Sequence, residues 1–174
     1  MKNKIKGFTL IELVITIGII SIVLSSLFLF FGTNINNYSL LKNDTELQFQ
    51  AQYIMNFISE KIMESKNIEV IRMGTSSILN AKSEYSISKI SLRYGDYNYN
   101  CYNFEVKNNK IFYGNSFSND SANVELGTYI KELRVSPHPY GKTFAQTHAL
   151  KITLCLFNNG QEYEAEQIIY MRSS

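Results

Sequence analysis

One acidic side chain, Glu12, stands inside an otherwise apolar stretch that runs from Phe8 to Phe31. A carboxylate in a membrane helix costs roughly 2.5–3.5 kcal/mol even on lenient insertion scales, so such a group needs a partner. The chemistry open to Glu12 is the pairing of its negative charge with a cation. Two other interpretations stay open: the side chain reaches the membrane interface, or it lies at the positive N-terminal end of its own helix.

The stretch around Glu12 has the length of a membrane-spanning helix. As a helix it would measure about 36 Å, enough to cross a bilayer core of about 30 Å with some tilt. A secretory signal peptide has an apolar core of roughly 7–15 residues that ends in small residues, whereas this stretch ends in bulky phenylalanines. An ordinary signal anchor would explain the length and the lysines Lys2, Lys4 and Lys6, which favour a cytoplasmic N-terminus. It leaves Glu12 unexplained.

The segment KGFTLIELVITIGIISIVL resembles the class III leader and first helix of type IV pilins and of the pseudopilins of type II secretion and competence systems. In that family a membrane-bound prepilin peptidase cuts after the glycine, here Gly7, and methylates the new N-terminal residue, here Phe8. A glutamate of the family falls on Glu12. The resemblance is specific because basic leader, Gly, Phe, Thr-Leu, Glu and apolar helix occur in that order.

The resemblance implies a role in assembly. Cleavage would remove the three leader lysines and create a positive amine at Phe8. Pairing of that amine with Glu12 of a neighbouring subunit would offset the desolvation of both charges. The implied partners are other pilin or pseudopilin subunits, the prepilin peptidase, an inner assembly platform and the membrane. The implied location is a single pass of the cytoplasmic membrane, N-terminus inside and globular part outside, followed by an extracellular pilus or pseudopilus.

Composition and motif searches exclude other classes of protein. Of 17 basic residues, three lie in the leader, which leaves 14 against 15 acidic residues. There is no basic excess that would indicate nucleic-acid binding. No P-loop, GxGxxG, HExxH or GxSxG motif occurs in the sequence, so neither an enzyme nor a cofactor is expected.

The helix is expected to continue beyond the membrane. Residues 34–66 contain neither proline nor glycine, and apolar residues recur there at three- and four-residue spacing. The predicted core face consists of Leu40, Leu47, Ala51, Ile54, Phe57, Ile58 and Ile62. The remaining positions are mostly polar, as a solvated or subunit-facing side requires.

Antiparallel strands are predicted after Asn67. Ile68–Arg72 is a short strand, and Tyr85–Tyr94 alternates with a one-residue slip at Ser88 and Lys89 that indicates a bulge. Hairpin turns are expected at Asn108–Asn109 and at Asn158–Gly160, where asparagine and glycine tolerate positive φ.

Two long loops are predicted. Gly114–Asn123 is rich in small polar residues and is expected to be exposed, and Pro137–Thr147 follows a strand over 129–136 that the prolines stop. The last segment, Tyr163–Met171, is a strand that could run partly as helix.

The order of elements predicts an α+β, pilin-like fold in which a long N-terminal helix packs on an antiparallel β-sheet. The expected divisions are a cleaved basic leader at 1–7, a transmembrane assembly helix at 8–31, its amphipathic continuation at 32–67 and a sheet domain at 68–174. This order is similar to that of PilW-type minor pilins and J-type minor pseudopilins.

The other candidate residues have ordinary explanations. Cys101 and Cys155 could form a disulfide in an extracytoplasmic domain, or be buried thiols. His138 and His148 have poor spacing for metal ligands, and a loop at Asn119, Asp120, Asn123 and Glu125 is better explained by solvation than by calcium. No metal site is therefore expected. The many tyrosines near 85–113 suit a half-buried sheet better than a binding platform.

The sequence leaves three candidate functions. The first is a minor pilin or pseudopilin subunit that initiates, caps or modifies a type IV pilus. The second is a pseudopilin of a type II secretion or DNA-uptake machine. The third is an adhesive tip subunit that presents its loops to a host or surface ligand.

Overall fold

The computed structural model describes residues 9–97 and 100–172, apart from the side chain of Asn36. The chain forms two compact units, Met1–Lys42 and Asn43–Ser174. A single helix, α1, spans Leu10–Glu64. In the second unit this helix packs on antiparallel sheets, which confirms the predicted α+β, pilin-like fold.

In the first unit the helix has apolar side chains on every side. The large apolar side chains between Leu10 and Leu41 are 44–82 % exposed. Among the described residues, α1 is the one helix long and apolar enough to cross a membrane by length and composition. Leu40, which the sequence placed on the core face, is 52 % exposed. That prediction was wrong because Leu40 precedes the unit that supplies the core.

In the second unit the helix buries one face. Leu47, Ala51, Ile54, Ile58 and Ile62 are 0–1 % exposed, which confirms the predicted periodicity. Phe57 lies at the edge of this face, where its ring meets that of Tyr113 edge to face at 5.0 Å.

The described part of the second unit contains ten strands. They are β1 (Asn67–Met73), β2 (Ser76–Ser77), β3 (Tyr85–Ser86), β4 (Lys89–Arg93), β5 (Cys101–Lys107), β6 (Lys110–Ser116), β7 (Val124–Gly127), β8 (Ile130–His138), β9 (Ala149–Asn158) and β10 (Gln161–Tyr170). A six-stranded sheet has the order β2-β1-β4-β5-β6-β7, and a four-stranded sheet has the order β10-β9-β8-β3. One core cluster joins apolar side chains of α1 and both sheets.

The predicted bulged strand from Tyr85 to Tyr94 was wrong. The segment forms two strands in different sheets: β3 pairs with β8, and β4 pairs with β1 and β5. The chain crosses at Ile87, which is 4 % exposed and donates its N–H to the Leu133 carbonyl at 2.8 Å. Because both strands contribute to one core, the apolar alternation continues across the break and hides it.

The first predicted loop is shorter than expected. Gly114–Ser116 belongs to β6, and the unpredicted strand β7 pairs with β6. What remains between them includes residues 117–122, called the strap below. Ala122 of the strap is 0 % exposed, so the expectation of an exposed loop was wrong at this position.

Pro137 does not end the strand before it, whereas β8 does end at His138, directly before Pro139. β8 continues through Pro137, which pairs with Leu150 of β9. The Leu133 carbonyl faces β3, and the two-residue period places the Pro137 nitrogen on the same side. Since β3 pairs only with Val135 and Arg134, the missing N–H of Pro137 costs no ladder hydrogen bond.

The two predicted hairpins are confirmed. Asn108 and Asn109 have φ of 53° and 58°, and Asn159 and Gly160 have φ of 49° and 81°. Positive φ at both central residues is typical of the type I′ turn that matches strand twist. The second of these turns leads into β10, so the alternative of a partly helical C-terminal segment was wrong.

Candidate assembly and processing site

Glu12 lies in the first turn of α1 and forms a reciprocal capping arrangement with Thr9. The Thr9 backbone N–H donates to Glu12 Oε2 at 2.9 Å, and the Thr9 hydroxyl donates to the same oxygen at 2.7 Å. In return the Glu12 N–H donates to Thr9 Oγ1 at 3.3 Å. These contacts make a capping box, in which the first residue and the fourth satisfy each other's groups.

Sequence reasoning missed Thr9 as a functional residue. The pattern Thr-x-x-Glu directly before an apolar run is the known signature of such a box, and it is present at Thr9–Glu12. The arrangement agrees with the interpretation that Glu12 lies at the positive end of its own helix. Both bonds that Glu12 accepts from Thr9 use Oε2, so Oε1 has capacity to accept a hydrogen bond from a cation.

The other polar side chains of the apolar segment are satisfied within the helix. The hydroxyls of Thr16, Ser21 and Ser25 each donate to a backbone carbonyl three or four residues earlier, at 2.8 Å. A Cβ added to Gly18 would meet nothing within 4 Å. This segment therefore presents an apolar surface with small residues that allow close helix packing.

The residues predicted for processing lie outside the described part of the chain. They are Gly7 and Phe8, with the leader lysines Lys2, Lys4 and Lys6. Thr9 is the first described residue, and Phe8 alone separates the capping box from the proposed cleavage point.

The other end of α1 is attached to the six-stranded sheet by a charged contact. Tyr102 donates its hydroxyl to Glu64 Oε2 at 2.6 Å, and the Lys61 ammonium lies 3.1 Å from the same carboxylate oxygen. Lys61 also lies 5.1 Å from the centroid of the Tyr102 ring. The Tyr102 hydrogen bond, followed by Lys61, lowers the pKa of Glu64. Burial, followed by Glu64, raises the pKa of Tyr102. Sequence reasoning missed this contact, which joins residues 38 positions apart.

The strap is held to the sheet by polar side chains of β4 and β5 that bond to its backbone. The contacts are Lys89 Nζ to the Asp120 carbonyl (2.6 Å), Ser91 Oγ to the Ser118 carbonyl (2.7 Å), Asn103 Nδ2 to the Phe117 carbonyl (3.0 Å), the Ala122 N–H to Glu105 Oε2 (3.2 Å) and Lys107 Nζ to the Ala122 carbonyl (3.2 Å). Burial lowers the pKa of Lys89. These hydrogen bonds thus attach the strap to the six-stranded sheet.

Of the two alternatives for the cysteines, the structure has the buried thiols and not the disulfide. Cys101 lies on β5 of the six-stranded sheet and Cys155 on β9 of the four-stranded sheet, and the two are separate, buried thiols. Burial raises the pKa of both thiols, which makes them poor nucleophiles.

The residues considered for calcium have other partners. Asn119 Oδ1 accepts a bond from Arg72 at 3.0 Å, and Glu125 pairs with Lys110 at 2.7 Å. In residues 9–97 and 100–172, no group of three or more His, Cys, Asp or Glu side chains is placed to hold a metal ion.

Several of the clustered tyrosines belong to the domain's packing. The rings of Tyr94 and Tyr102 stack with centroids 4.3 Å apart, and Tyr113 lies 5.6 Å from Phe104. Tyr97 is 63 % exposed. Tyr99 lies outside the described residues. The contacts favour the interpretation of these tyrosines as sheet packing.

Comparison with known proteins identifies the N-terminal segment. The family described as "Prokaryotic N-terminal methylation motif" matches residues 2–28. No curated protein and no solved structure matches the chain. The match covers the positions predicted for leader cleavage and methylation, the capping box and most of the apolar helix.

The matched motif and the fold together indicate a class of protein. A methylation motif followed by a long apolar helix, with the helix packed on antiparallel sheets, is a pilin-like arrangement. The motif supports membership of the type IV pilin and pseudopilin family and points to a structural subunit.

Proposed function

We propose that the chain is a minor pilin or pseudopilin subunit, cut by prepilin peptidase between Gly7 and Phe8, N-methylated at Phe8, and incorporated through α1 into a type IV pilus. The observation that carries the proposal is the methylation motif over residues 2–28. Its direct continuation as a helix with 44–82 % exposed large apolar side chains supports storage in a bilayer before assembly.

Glu12 would act as the docking residue. Its carboxylate uses Oε2 for Thr9, and Oε1 would accept the Phe8 amine of a neighbouring subunit. In an apolar bundle each charge is costly alone, and the pair offsets that cost. The requirement for a partner at this depth would set the axial register between adjacent helices.

The second unit supports a minor rather than a major subunit. It carries ten described strands in two sheets and a strap held by several side chains, a large structure for a repeating shaft. The proposed partners are other pilin or pseudopilin subunits, the prepilin peptidase and the inner assembly platform. The proposed orientation places the N-terminus in the cytoplasm, since the leader lysines precede the helix.

Mass spectrometry of the mature N-terminus tests the proposal. We expect a chain that begins at N-methylated Phe8 when prepilin peptidase is present, and full-length precursor when Gly7 is replaced by Ala. A mature chain that begins at Met1 in the presence of the peptidase would overturn the proposal.

Adhesion at a filament tip is a second candidate, and two exposed aromatic side chains favour it. Phe117 on the strap is 54 % exposed and Tyr140 is 74 % exposed. In the adhesive alternative, replacement of both by Ser lowers attachment and leaves filament number unchanged. If the chain is a structural subunit without an adhesive role, neither attachment nor filament number changes.

A further inference from the structure

The four-stranded sheet ends in a long strand. β10 has ten residues, and among the described residues it pairs with β9 alone. The terminal strands β2, β3 and β7 have only two, two and four residues. Short terminal strands are a common way in which proteins limit pairing with other chains. The length of β10 departs from that pattern.

Every second residue of β10 directs its backbone away from β9. The Phe157 N–H of β9 donates at 2.8 Å to the Tyr129 carbonyl, just before β8. Because backbone groups alternate along a strand, the adjacent Leu156 faces β10, where it pairs with Tyr163. The residues of β10 that face outward are therefore Glu162, Glu164, Glu166, Ile168 and Tyr170. Within residues 9–97 and 100–172, their N–H and C=O groups have no hydrogen-bond partner. These five residues are called the β10 edge below.

The side chains at the start of the β10 edge are acidic. The ion pairs on this face, at 2.7–2.9 Å, are Glu162 with Lys131, Glu164 with Arg134 and Glu166 with Lys151. The three glutamates remain 46–50 % exposed. Glu84 and Glu132 also contact Arg134. Acids thus outnumber bases on this face, which therefore attracts cations.

The far end of the β10 edge is apolar. Ile168 is 43 % exposed and Tyr170 is 65 % exposed. A strand added to a sheet places its side chains directly opposite those of its neighbour. The β10 edge therefore fits a strand with basic residues at three alternate positions and apolar residues at two.

A second copy of β10 does not fit this edge. Antiparallel pairing centred on Glu164 would place that residue opposite its own copy and Glu162 opposite Glu166. Like charges directly opposite each other destabilise a strand pair. The row of glutamates therefore disfavours a second copy and favours a partner of opposite charge.

We propose that the β10 edge binds an extended, basic segment of another protein as an added antiparallel strand. The outward N–H and C=O groups supply main-chain hydrogen bonds, which give affinity in this mode of recognition. Lys or Arg residues opposite the glutamates set the register of the added strand. The β10 edge belongs to the folded domain, so this binding does not depend on leader cleavage or on assembly through α1.

The test measures the Kd of a fluorescein-labelled peptide, VTVTKTKTK, for the full chain in neutral detergent micelles by fluorescence anisotropy. In antiparallel register its valines lie opposite Tyr170 and Ile168, and its lysines lie opposite the three glutamates. We expect saturable binding. Methylation of the backbone nitrogens of the lysines should weaken it by about tenfold or more, since each methyl group removes an N–H that faces β10.

Two variants separate the backbone from the charge. Ile168→Pro removes an outward N–H and no bond to β9, so it should weaken peptide binding by about fivefold or more with little change in the urea midpoint. Glu164→Gln keeps the backbone and should weaken binding by about two- to fivefold. Glu125→Gln is the matched control. Glu125 lies on β7 at the end of the other sheet and pairs with Lys110 at 2.7 Å, so its replacement should leave Kd unchanged.

Four results would overturn the proposal. The first is a wild-type chain that does not bind the peptide. The second is equal binding of the methylated peptide, which would indicate attraction of lysines to acids without an added strand. The third is an equal loss in Glu164→Gln and Glu125→Gln, which would show that overall charge controls binding. The fourth is a dimer of the wild type that Ile168→Pro abolishes, which would assign the β10 edge to a second copy.

Discussion

The two parts of α1 both carry large apolar side chains, and these side chains have opposite surroundings. From Leu10 to Leu41 the large apolar side chains are 44–82 % exposed, whereas five core positions between Leu47 and Ile62 are 0–1 % exposed. Among the described residues of its own unit, nothing buries the first part, and an apolar surface of this size is typical of a membrane or interaction site. The second part is covered by its own domain. One helix therefore serves two separate requirements, the proposed insertion and assembly in its first part and folding of the domain in its second.

The largest expected effect separates these requirements. Leu47→Ala should lower the free energy of unfolding of the domain by about 2–5 kcal/mol, since it opens a cavity in a packed core. Leu41→Ala, six residues earlier at a side chain that is 66 % exposed, should leave it unchanged. Urea unfolding of the full chain in detergent measures both, and equal losses in the two variants would refute the contrast.

A pair of glycines tests the same contrast by adding a methyl group. A Cβ at Gly127 would lie 2.5 Å from Ile54 Cδ1 and 3.1 Å from Gln50 Oε1. We expect Gly127→Ala to destabilise the domain by about 1–3 kcal/mol through overpacking. Gly18→Ala, with nothing within 4 Å, should leave the same urea midpoint unmoved. If Gly127→Ala is as stable as the wild type, the helix is less closely packed on β7 than these distances indicate.

A change at Glu12 should affect assembly and leave the stability of the domain unchanged, the reverse of the effect at Leu47. Glu12→Val should leave the domain's unfolding unchanged and the protein inserted and cleaved, while incorporation into filaments falls by on the order of tenfold or more, as expected for loss of a desolvated charge pair. Immunoblots of sheared filaments against membranes measure this ratio. Glu46→Val, at an acid of α1 in the second unit, is the control and should assemble normally. Wild-type assembly of Glu12→Val would refute the docking role.

The smallest expected effect concerns the contact at the end of α1. Tyr102→Phe removes the 2.6 Å bond to Glu64 and should cost about 1 kcal/mol. The pKa of Glu64 is lowered in the folded state, so its contribution is present above the ordinary value of 4.5 and is lost as pH falls through the folded-state pKa. Urea midpoints measured between neutral pH and pH 3 should therefore converge for the wild type and Glu64→Gln. Parallel curves would show that ionisation of Glu64 contributes nothing to the stability of the domain.

The parts of the fold that local chemistry decides were predictable from the sequence. The apolar run, the 3.6-residue periodicity after Asn43 and the asparagine turns at Asn108 and Asn159 depend on residues within a few positions of one another, and each is confirmed. The motif over residues 2–28, which points to a pilin-like class, is local for the same reason. The capping box is equally local, since its Thr-x-x-Glu pattern lies within the four residues Thr9–Glu12.

The parts that depend on distant residues were decided by the tertiary structure. Residues 85–94 alternate like one strand, yet they divide between two sheets because β8 and β5 each take one piece. The strap stays in place because Lys89 and Asn103 reach its backbone from other strands. Exposure differs along α1 for the same reason: Leu41 and Leu47 are chemically identical, and only the second has sheets to pack against. Sequence pattern reports what a residue prefers, and long-range packing determines which preference can be met.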